Sequence, residues 1–254
     1  MRGAILMLSK ERFDIILQLL QQKNAITVTE LTKILKTSES TIRRDLNTLA
    51  EMGKLNKVHG GATAIEQERN TREEDVEEKA LKNMEEKCKI AEYAAGLVGD
   101  DDFVFIDAGT TTERMIDYLV PSKAVFITNG MIHVRKLTQK GLRSYLLGGE
   151  LKLSTEAMVG SAAIDTLKTY NFTKSFIGAN GIHEQYGFTT PDMAEAMIKK
   201  EVMNRSFMRC VLADHSKFGK ITSVSFANLS QACIITDRIE NKKYVDYTVI
   251  REVI

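Results

Sequence analysis

The sequence predicts an α/β chain in two parts: a small N-terminal helical module closed by a short β wing, then an open, mostly parallel sheet with helices packed on it. Three observations carry that prediction. Residues up to Gly53 fall into three short segments with apolar residues at helical spacing. Beyond Asp101, short apolar runs alternate with helical stretches, the pattern of βα units. Charge also changes sign along the chain: residues 1–62 hold ten Lys/Arg against six Asp/Glu, whereas residues 66–87 hold five against nine. A basic module followed by an acidic tether is expected, and a small basic module points to a polyanionic partner.

The chain has 254 residues, 43% hydrophobic and 27% charged. That balance suits a globular protein with a real core and excludes wholesale disorder. The length exceeds the usual single-domain size. Apolar runs such as Phe103 to Ile106 are too short to span a bilayer, and MRGAILML lacks the apolar stretch and cleavage site of a signal peptide, so a cytoplasmic protein without membrane contact is expected. Cys88, Cys210 and Cys233 are odd in number and far apart in sequence, with no CxxC pair and no histidine at metal spacing, so they read as ordinary buried thiols, with no metal or cofactor.

In SKERFDIILQLLQQ (9–22), Phe13, Ile16, Leu17 and Leu20 form one apolar stripe of a first helix. TVTELTKILK (27–36) opens with Thr27 and Glu30 in capping-box register and turns Val28, Leu31, Ile34 and Leu35 to one side. Thr37 begins a tight turn and Ser38 is an N-cap. ESTIRRDLNTLAEMG follows with Ile42, Leu46 and Leu49 inward, and Gly53 ends the helix. Three short helices with a tight turn between the last two describe a helix-turn-helix, whose last helix enters the major groove of DNA.

With the apolar residues inward, Ser40, Thr41, Arg43, Arg44 and Asn47 remain on or near the solvent face. Arginine offers paired donors to guanine and phosphate, and hydroxyls suit backbone oxygens. KLNKVHGGA (54–62) reads as a short strand and a Gly-Gly turn, a wing where Lys57 and His59 reach phosphate. ESTIRRDLNTL followed by VHGGA resembles the winged helix of the DeoR family of bacterial transcription regulators. Such proteins begin a few residues before the first helix, which leaves Met7 as an alternative start to Met1.

Residues 63–83 are polar and acidic and are expected to form a linker whose second half is helical, between a DNA-binding domain at 1–62 and a second domain at 84–254. MEEKCKIAEYAAGLV (84–98) is an amphipathic helix. Strands are expected in DFVFID (102–107), AVFIT (124–128), SYLLG (144–148), SFIGA (175–179), RCVLAD (209–214), ACIITD (232–237) and YTVI (247–250). TTERMIDYL, MIHVRKLTQ, SAAIDTLKTY and DMAEAMIKKEVMNRS read as helices, the last started by Thr190 as N-cap and Pro191 at its first position.

Ligands of such sheets lie outside the carboxyl ends of the strands. There the sequence collects Asp107, Gly109, Thr110, Thr111 and Thr112 (DAGTTT), Thr128 and Asn129 (TNG), Gly148 and Gly149, Gly178 to Gly181 around Asn180, and Asp214 with Lys217. The turn at Gly109 before a helix suits an anion, while the missing GxGxxG and P-loop patterns argue against dinucleotides and nucleoside triphosphates.

DAGTTT, TNG, LLGGE, GANGI, FTTPDMAEA and ADHSKFG, in that order, are similar to the effector domain of the DeoR family. The resemblance implies a fold related to ribose-phosphate isomerase, glucosamine-phosphate deaminase and CoA-transferases, and a phosphorylated sugar at the strand ends. By that implication Gly109 to Thr112 hold the phosphate and Asp107, Asn129, Asn180 and Lys217 contact the sugar. Glu195 and Lys199, one helical turn apart, pair with each other or line the site.

Within the family, the recognition helix and GFTTPD most resemble fructose-operon repressors, which implies fructose 1-phosphate as effector and a homo-oligomer, dimer or tetramer, on operator DNA. Here the helix follows Thr37-Ser38 and not Ala-Ser. The competing class is a sugar-phosphate isomerase or deaminase, but where deaminases carry Asp-Gly-His this chain has Asn180-Gly181-Ile182, which can neither accept nor donate a proton usefully, and no catalytic residue is assigned. An activator whose ligand strengthens DNA binding is the other alternative.

Overall fold

The computed structural model describes residues 9–64 and 76–253. The start at Met1 or Met7 and most of the linker lie outside them. The chain divides into two compact units, Met1–Gln67 and Glu68–Ile254.

In the first unit, α1 (Ser9–Lys23) leads through β1 (Ala25–Thr27) to α2 (Val28–Leu35) and α3 (Glu39–Glu51), followed by β2 (Asn56–Val58) and β3 (Gly61–Thr63). The expected caps form. Thr27 accepts from the Glu30 N–H at 3.1 Å, while the Glu30 carboxylate accepts from the Thr27 N–H at 3.1 Å. Ser38 caps α3 by accepting from the Thr41 N–H at 3.3 Å.

Lys36, left-handed at φ 49°, turns the chain between α2 and α3. Ile16, Leu20, Leu31, Leu35, Ile42, Leu46 and Leu49 form the core of this unit. The wing sheet has three strands where one was expected: β1, β3 and β2 form an antiparallel sheet in that order. Its glycines have separate reasons. Gly60 has φ +79°, and a Cβ on Gly61 would lie 2.3 Å from the Ile26 carbonyl oxygen, so β3 can pair with β1 only without a side chain there.

In the second unit, α4 (Val76–Leu81) and α5 (Met84–Ala95) precede β4 (Phe103–Ile106), α6 (Thr110–Tyr118), β5 (Val125–Thr128), α7 (Met131–Gln139) and β6 (Ser144–Leu146). A hairpin, β7 (Glu150–Lys152) and β8 (Ala157–Val159), leads to α8 (Ser161–Leu167) and β9 (Phe172–Gly178). Then come β10 (Gly181–His183), β11 (Gly187–Thr190), α9 (Met193–Asn204), β12 (Ser206–Leu212), β13 (Val224–Ala227), β14 (Cys233–Thr236) and β15 (Ile250–Glu252).

Seven strands form a wholly parallel sheet in the order β15-β14-β12-β9-β4-β5-β6. From β4 the chain first builds outward through β5 and β6, then returns to place β9, β12, β14 and β15 on the other side. The order therefore reverses between β4 and β9, and their carboxyl ends flank the crevice that such sheets use for ligands. Both faces are covered. Val104 and Ile106 join a core with Ile90, Ala94, Met115 and Ile116, and Phe105 joins the opposite core with Leu167, Ile198 and Val202. The alternation along β4 follows from the two-residue period of a strand buried on both sides.

Several expectations need correction. The helix after Thr190-Pro191 begins at Met193, with Asp192 as its N-cap, because the Asp192 carboxylate accepts from the Glu195 N–H at 2.8 Å while Thr190 belongs to β11. YTVI is not itself the last strand, which runs Ile250–Glu252. Strands β9 and β12 start three residues before the expected SFIGA and RCVLAD. The hairpin β7–β8 and the antiparallel sheet β10-β11-β13 were not expected. The cysteines are not uniformly buried: Cys210 is, whereas Cys88 and Cys233 are partly exposed. Among the described residues, no helix is long and apolar enough to cross a membrane.

Candidate functional site

Two regions hold the expected functional residues, one in each unit. On α3, Ser40, Arg43, Arg44 and Asn47 are exposed and Thr41 partly so; Lys57 and His59 are exposed on the wing. Arg43 makes a surface ion pair with Glu39, one turn earlier, at 3.3 Å. Among the described residues the Arg44 guanidinium has no such partner. The hydroxyls of Ser40 and Thr41 both lie 2.9 Å from the Ser38 cap, which orients them at the helix start.

The inward face of α3 holds a group that its spacing did not reveal. Asp45 is buried and takes a forked pair of bonds from Arg12 of α1, at 2.7 and 3.0 Å. The Asp45 carboxylate raises the Arg12 pKa above its already high ordinary value. This pair fixes α3 against α1 across 33 residues of sequence, and it means that one of the basic residues counted in the module serves the fold.

In the second unit the sheet order lines up consecutive strand ends: Gly148 after β6, Asn129 after β5, Asp107 after β4, Asn180 after β9 and the Asp214–Lys217 loop after β12. At the centre, Asp107 is buried and accepts from the Gly178 N–H at 2.9 Å, which ties the two strands of the switch point together. Its second partner is Lys199 of α9, also buried, whose ammonium group bonds the same carboxylate oxygen and lies 5.9 Å from the centre of the Phe226 ring. Glu195 and Lys199 therefore do not pair with each other. Glu195 instead accepts from Thr155 at 2.7 Å and Lys152 at 3.2 Å, both on the β7–β8 hairpin, and Lys152 also reaches Asp192 at 3.0 Å.

The DAGTTT turn is built differently from its expected form. Gly109 is extended, at φ −150°, and caps α6. The Thr112 hydroxyl points inward and donates to the carbonyls of Asp107 and Gly109, at 2.6 and 2.8 Å, so it is committed to the turn. What remains for an anion is the first turn of α6, whose backbone N–H groups have no acceptor within the helix. Asn129 supports the turn from the side, accepting from the Ala108 N–H at 2.9 Å, and Thr128 accepts from the Gly130 N–H at 3.1 Å.

His133 of α7, which the sequence reading passed over, lies 3.3 Å from the Thr112 hydroxyl and 3.2 Å from the Gly109 carbonyl. Burial lowers its pKa to about 4, so it is a neutral ring at physiological pH. Its signal in the sequence was a histidine three residues after the TNG turn, on the face of α7 that looks inward.

At the other strand ends, Asn180 bonds Thr190 at 3.1 Å and Gly149 needs its lack of a side chain, since a Cβ would lie 2.4 Å from the Val159 carbonyl. Asp214 accepts from Asn83 at 2.8 Å and from the Ser216 N–H at 3.0 Å. Despite burial, the positive charge of Lys217 and these bonds hold its pKa below the ordinary carboxylate value. Among the described residues the Lys217 ammonium has no hydrogen-bonded partner. His215 pairs with Asp237, at 2.7 Å, and not with Asp214. Glu86 joins them with ligand atoms within 4.8 Å of one another, a donor set that the His215–Asp237 hydrogen bond accounts for without a cation.

Comparison with known proteins bears on both units. Residues 12–68 match the DeoR-like helix-turn-helix domain and residues 82–238 the DeoR C terminal sensor domain. The chain is 43% identical to the "Uncharacterized HTH-type transcriptional regulator FruR" of Bacillus subtilis (strain 168), over 95% of this chain and 96% of the relative. It is 34% identical to the "Lactose phosphotransferase system repressor" of Streptococcus mutans, over 98% of this chain and 100% of the relative. Among solved structures it is similar to ribose 5 phosphate isomerase A from Neisseria gonorrhoeae, at 16% identity and a TM-score of 0.40 over 53% of each chain. The relatives matched along nearly their whole length are named as regulators and repressors, not as enzymes. A reading helix in one unit and a sensor sheet in the other are joined in one chain, and that chain belongs to the DeoR family of transcriptional regulators.

Proposed function

We propose that the protein represses a sugar-utilisation operon and leaves its operator when a phosphorylated sugar binds, with fructose 1-phosphate the first candidate. The observation that carries the reading is the strand order at the β4–β9 switch point, which brings the first turn of α6, Asn129, Asn180 and Lys217 to neighbouring strand ends. A helix start with free backbone N–H groups suits the phosphate, at Gly109, Thr110 and Thr111, and amides with a lysine suit sugar hydroxyls. Asp107, paired with Lys199, orients the crevice. The fructose assignment draws support from the FruR relative at 43% identity, and the repressor sign from the lactose repressor relative.

On the DNA side, Arg43, Arg44 and Asn47 read or flank bases, while Ser40, Thr41, Lys57 and His59 hold the phosphate backbone. A homo-oligomer presents two or more such helices to a repeated operator. Release requires that the sugar phosphate bind the two states of the protein with different affinity, and a coupling of ~1–3 kcal/mol gives a switch of roughly 5–150-fold.

The test is fluorescence anisotropy of labelled DNA from upstream of the gene's own operon, at fixed salt, with and without fructose 1-phosphate. Specific binding that the ligand weakens is the expected result. Specific binding that no sugar phosphate alters would refute the effector assignment, and absence of specific binding would refute the repressor. The Lys217→Ala variant should keep its DNA affinity and lose most of the ligand response; an undiminished response removes Lys217 from the site.

A further inference from the structure

Cys210 and Cys233 stand 23 residues apart in sequence, but the sheet makes them register partners on the adjacent parallel strands β12 and β14. Their sulfur atoms are 3.2 Å apart and hydrogen-bonded, and both face the α5 side of the sheet. Neighbouring strands lie about 4.8 Å apart, within the roughly 4.4–6.8 Å between Cα atoms that a disulfide spans, so a covalent link fits the native register.

The two thiols differ in access. Cys210 is fully buried, whereas Cys233 is partly exposed and lines a surface groove of about 740 Å³. Leu97, Val249 and Ile250 give the groove an apolar wall, and the guanidinium groups of Arg209 and Arg251 add positive charge. Arg251 lies over the Tyr93 ring at 5.0 Å, and Arg209 is held by the Ser206 carbonyl at 2.9 Å, so both charges are anchored within the groove that Cys233 lines. The Cys210 thiol lowers the pKa of Cys233, and Cys233 together with burial raises that of Cys210. One thiol is thus accessible and suited to attack, and the other is poised behind it.

We propose that Cys210 and Cys233 form a reversible dithiol–disulfide site, oxidised by small anionic disulfides that enter this groove. The Cys233 thiolate, its proton lost to solvent, attacks one sulfur of the small disulfide. The S–S bond of the reagent breaks, one half leaves as thiolate, and a mixed disulfide remains on Cys233. Cys210 then gives up its proton and attacks the Cys233 sulfur, expelling the second half. Two protein thiols are oxidised to one disulfide, and one small disulfide is reduced to two thiols. The reverse reaction with excess small thiol restores the pair. The link would join the two strands whose ends carry Lys217 and Asp237, next to the strand-end crevice.

The experiment uses the full chain carrying Cys88→Ser, so that only this pair can react. The reduced protein is incubated with glutathione disulfide, quenched with an alkylating agent and digested with trypsin. The expected product is peptide 210–217 joined to peptide 221–238, with the thiol count measured in denaturant falling from two to none. Cys210→Ser should stop at the glutathione mixed disulfide on Cys233, while Cys233→Ser should react at least an order of magnitude more slowly, because Cys210 has no path to the reagent. Neutral hydroxyethyl disulfide should react more slowly than glutathione disulfide, and equal rates would overturn the assigned preference for anions. A joined peptide that forms only after unfolding in urea, or Cys233→Ser reacting as fast as the parent, would overturn the site.

Discussion

Arg43 and Arg44 stand side by side on α3, yet the proposed DNA contact would draw them from different starting points. Arg43 gives up a surface ion pair with Glu39, a contact usually worth well under ~1 kcal/mol, whereas Arg44 gives up none. Replacing either by alanine should weaken operator binding, the base-reading one by ~1–3 kcal/mol with relaxed sequence preference and the phosphate-binding one uniformly across sequences. Competition binding against single-base operator variants distinguishes them, and two variants that bind like the parent would exclude α3 as the reading helix. Asp45→Ala is expected to behave differently: removing one partner of a buried pair costs about 3–5 kcal/mol, so the loss should appear in the unfolding of the first unit.

His133 gives the second unit a pH response. Its pKa is about 4 in the folded chain and about 6.5 when unfolded, so between these values the unfolded chain binds more protons. The neutral ring contributes stability in full above about pH 6.5, and that contribution is lost as pH falls toward 4, up to roughly 3 kcal/mol. Urea unfolding at pH 7.5 and 4.5 should show this loss in the parent and a smaller one in His133→Gln. Equal losses would mean that other groups set the pH dependence.

At the scale of elements, the β7–β8 hairpin is fastened to α9 by the Thr155 and Lys152 bonds to Glu195 and by Lys152 to Asp192. Thr155→Val removes a bond to a charged acceptor, worth about 1.5–3 kcal/mol. Amide exchange should then rise by about tenfold or more across residues 150–159 and stay unchanged in β4 and β9, as read by mass spectrometry. A rise spread evenly over the sheet would show that the bond serves the whole unit and not the hairpin.

The same elements mark how far the sequence could be read. Local signals survived because their physics is local: Thr27 with Glu30 and Ser38 with Thr41 act within one turn, and the apolar stripe of α3 within two. Asp107 with Lys199 spans 92 residues and Arg12 with Asp45 spans 33, and no periodicity announces such pairs. The hairpin escaped because its strands are three residues each, too short to show an alternating pattern. Thr190 was misassigned because Thr before Pro suits a helix start, and the stronger capping carboxylate of Asp192 won.

Over the whole molecule, the proposed coupling between sugar-phosphate binding and operator binding is a thermodynamic quantity with two faces. If fructose 1-phosphate lowers operator affinity by some factor, operator DNA must lower sugar-phosphate affinity by the same factor. Calorimetric titration of the sugar phosphate into free and DNA-bound protein should return that factor within error. A ligand affinity indifferent to DNA would mean that the sugar phosphate does not shift operator affinity at equilibrium.

The pairing of β4 with β9 also sets an order of events during synthesis. Val104 is joined to Lys174, so the middle of the parallel sheet stays unformed until the chain has grown past residue 174. The wing and three helices close on themselves within residues 9–64, and domains tend to fold as they emerge from the ribosome. A nascent chain stopped near the β7–β8 hairpin would carry a finished reading head with no finished sensor. Truncation within that stretch should yield a fragment that still engages DNA and no longer answers to sugar.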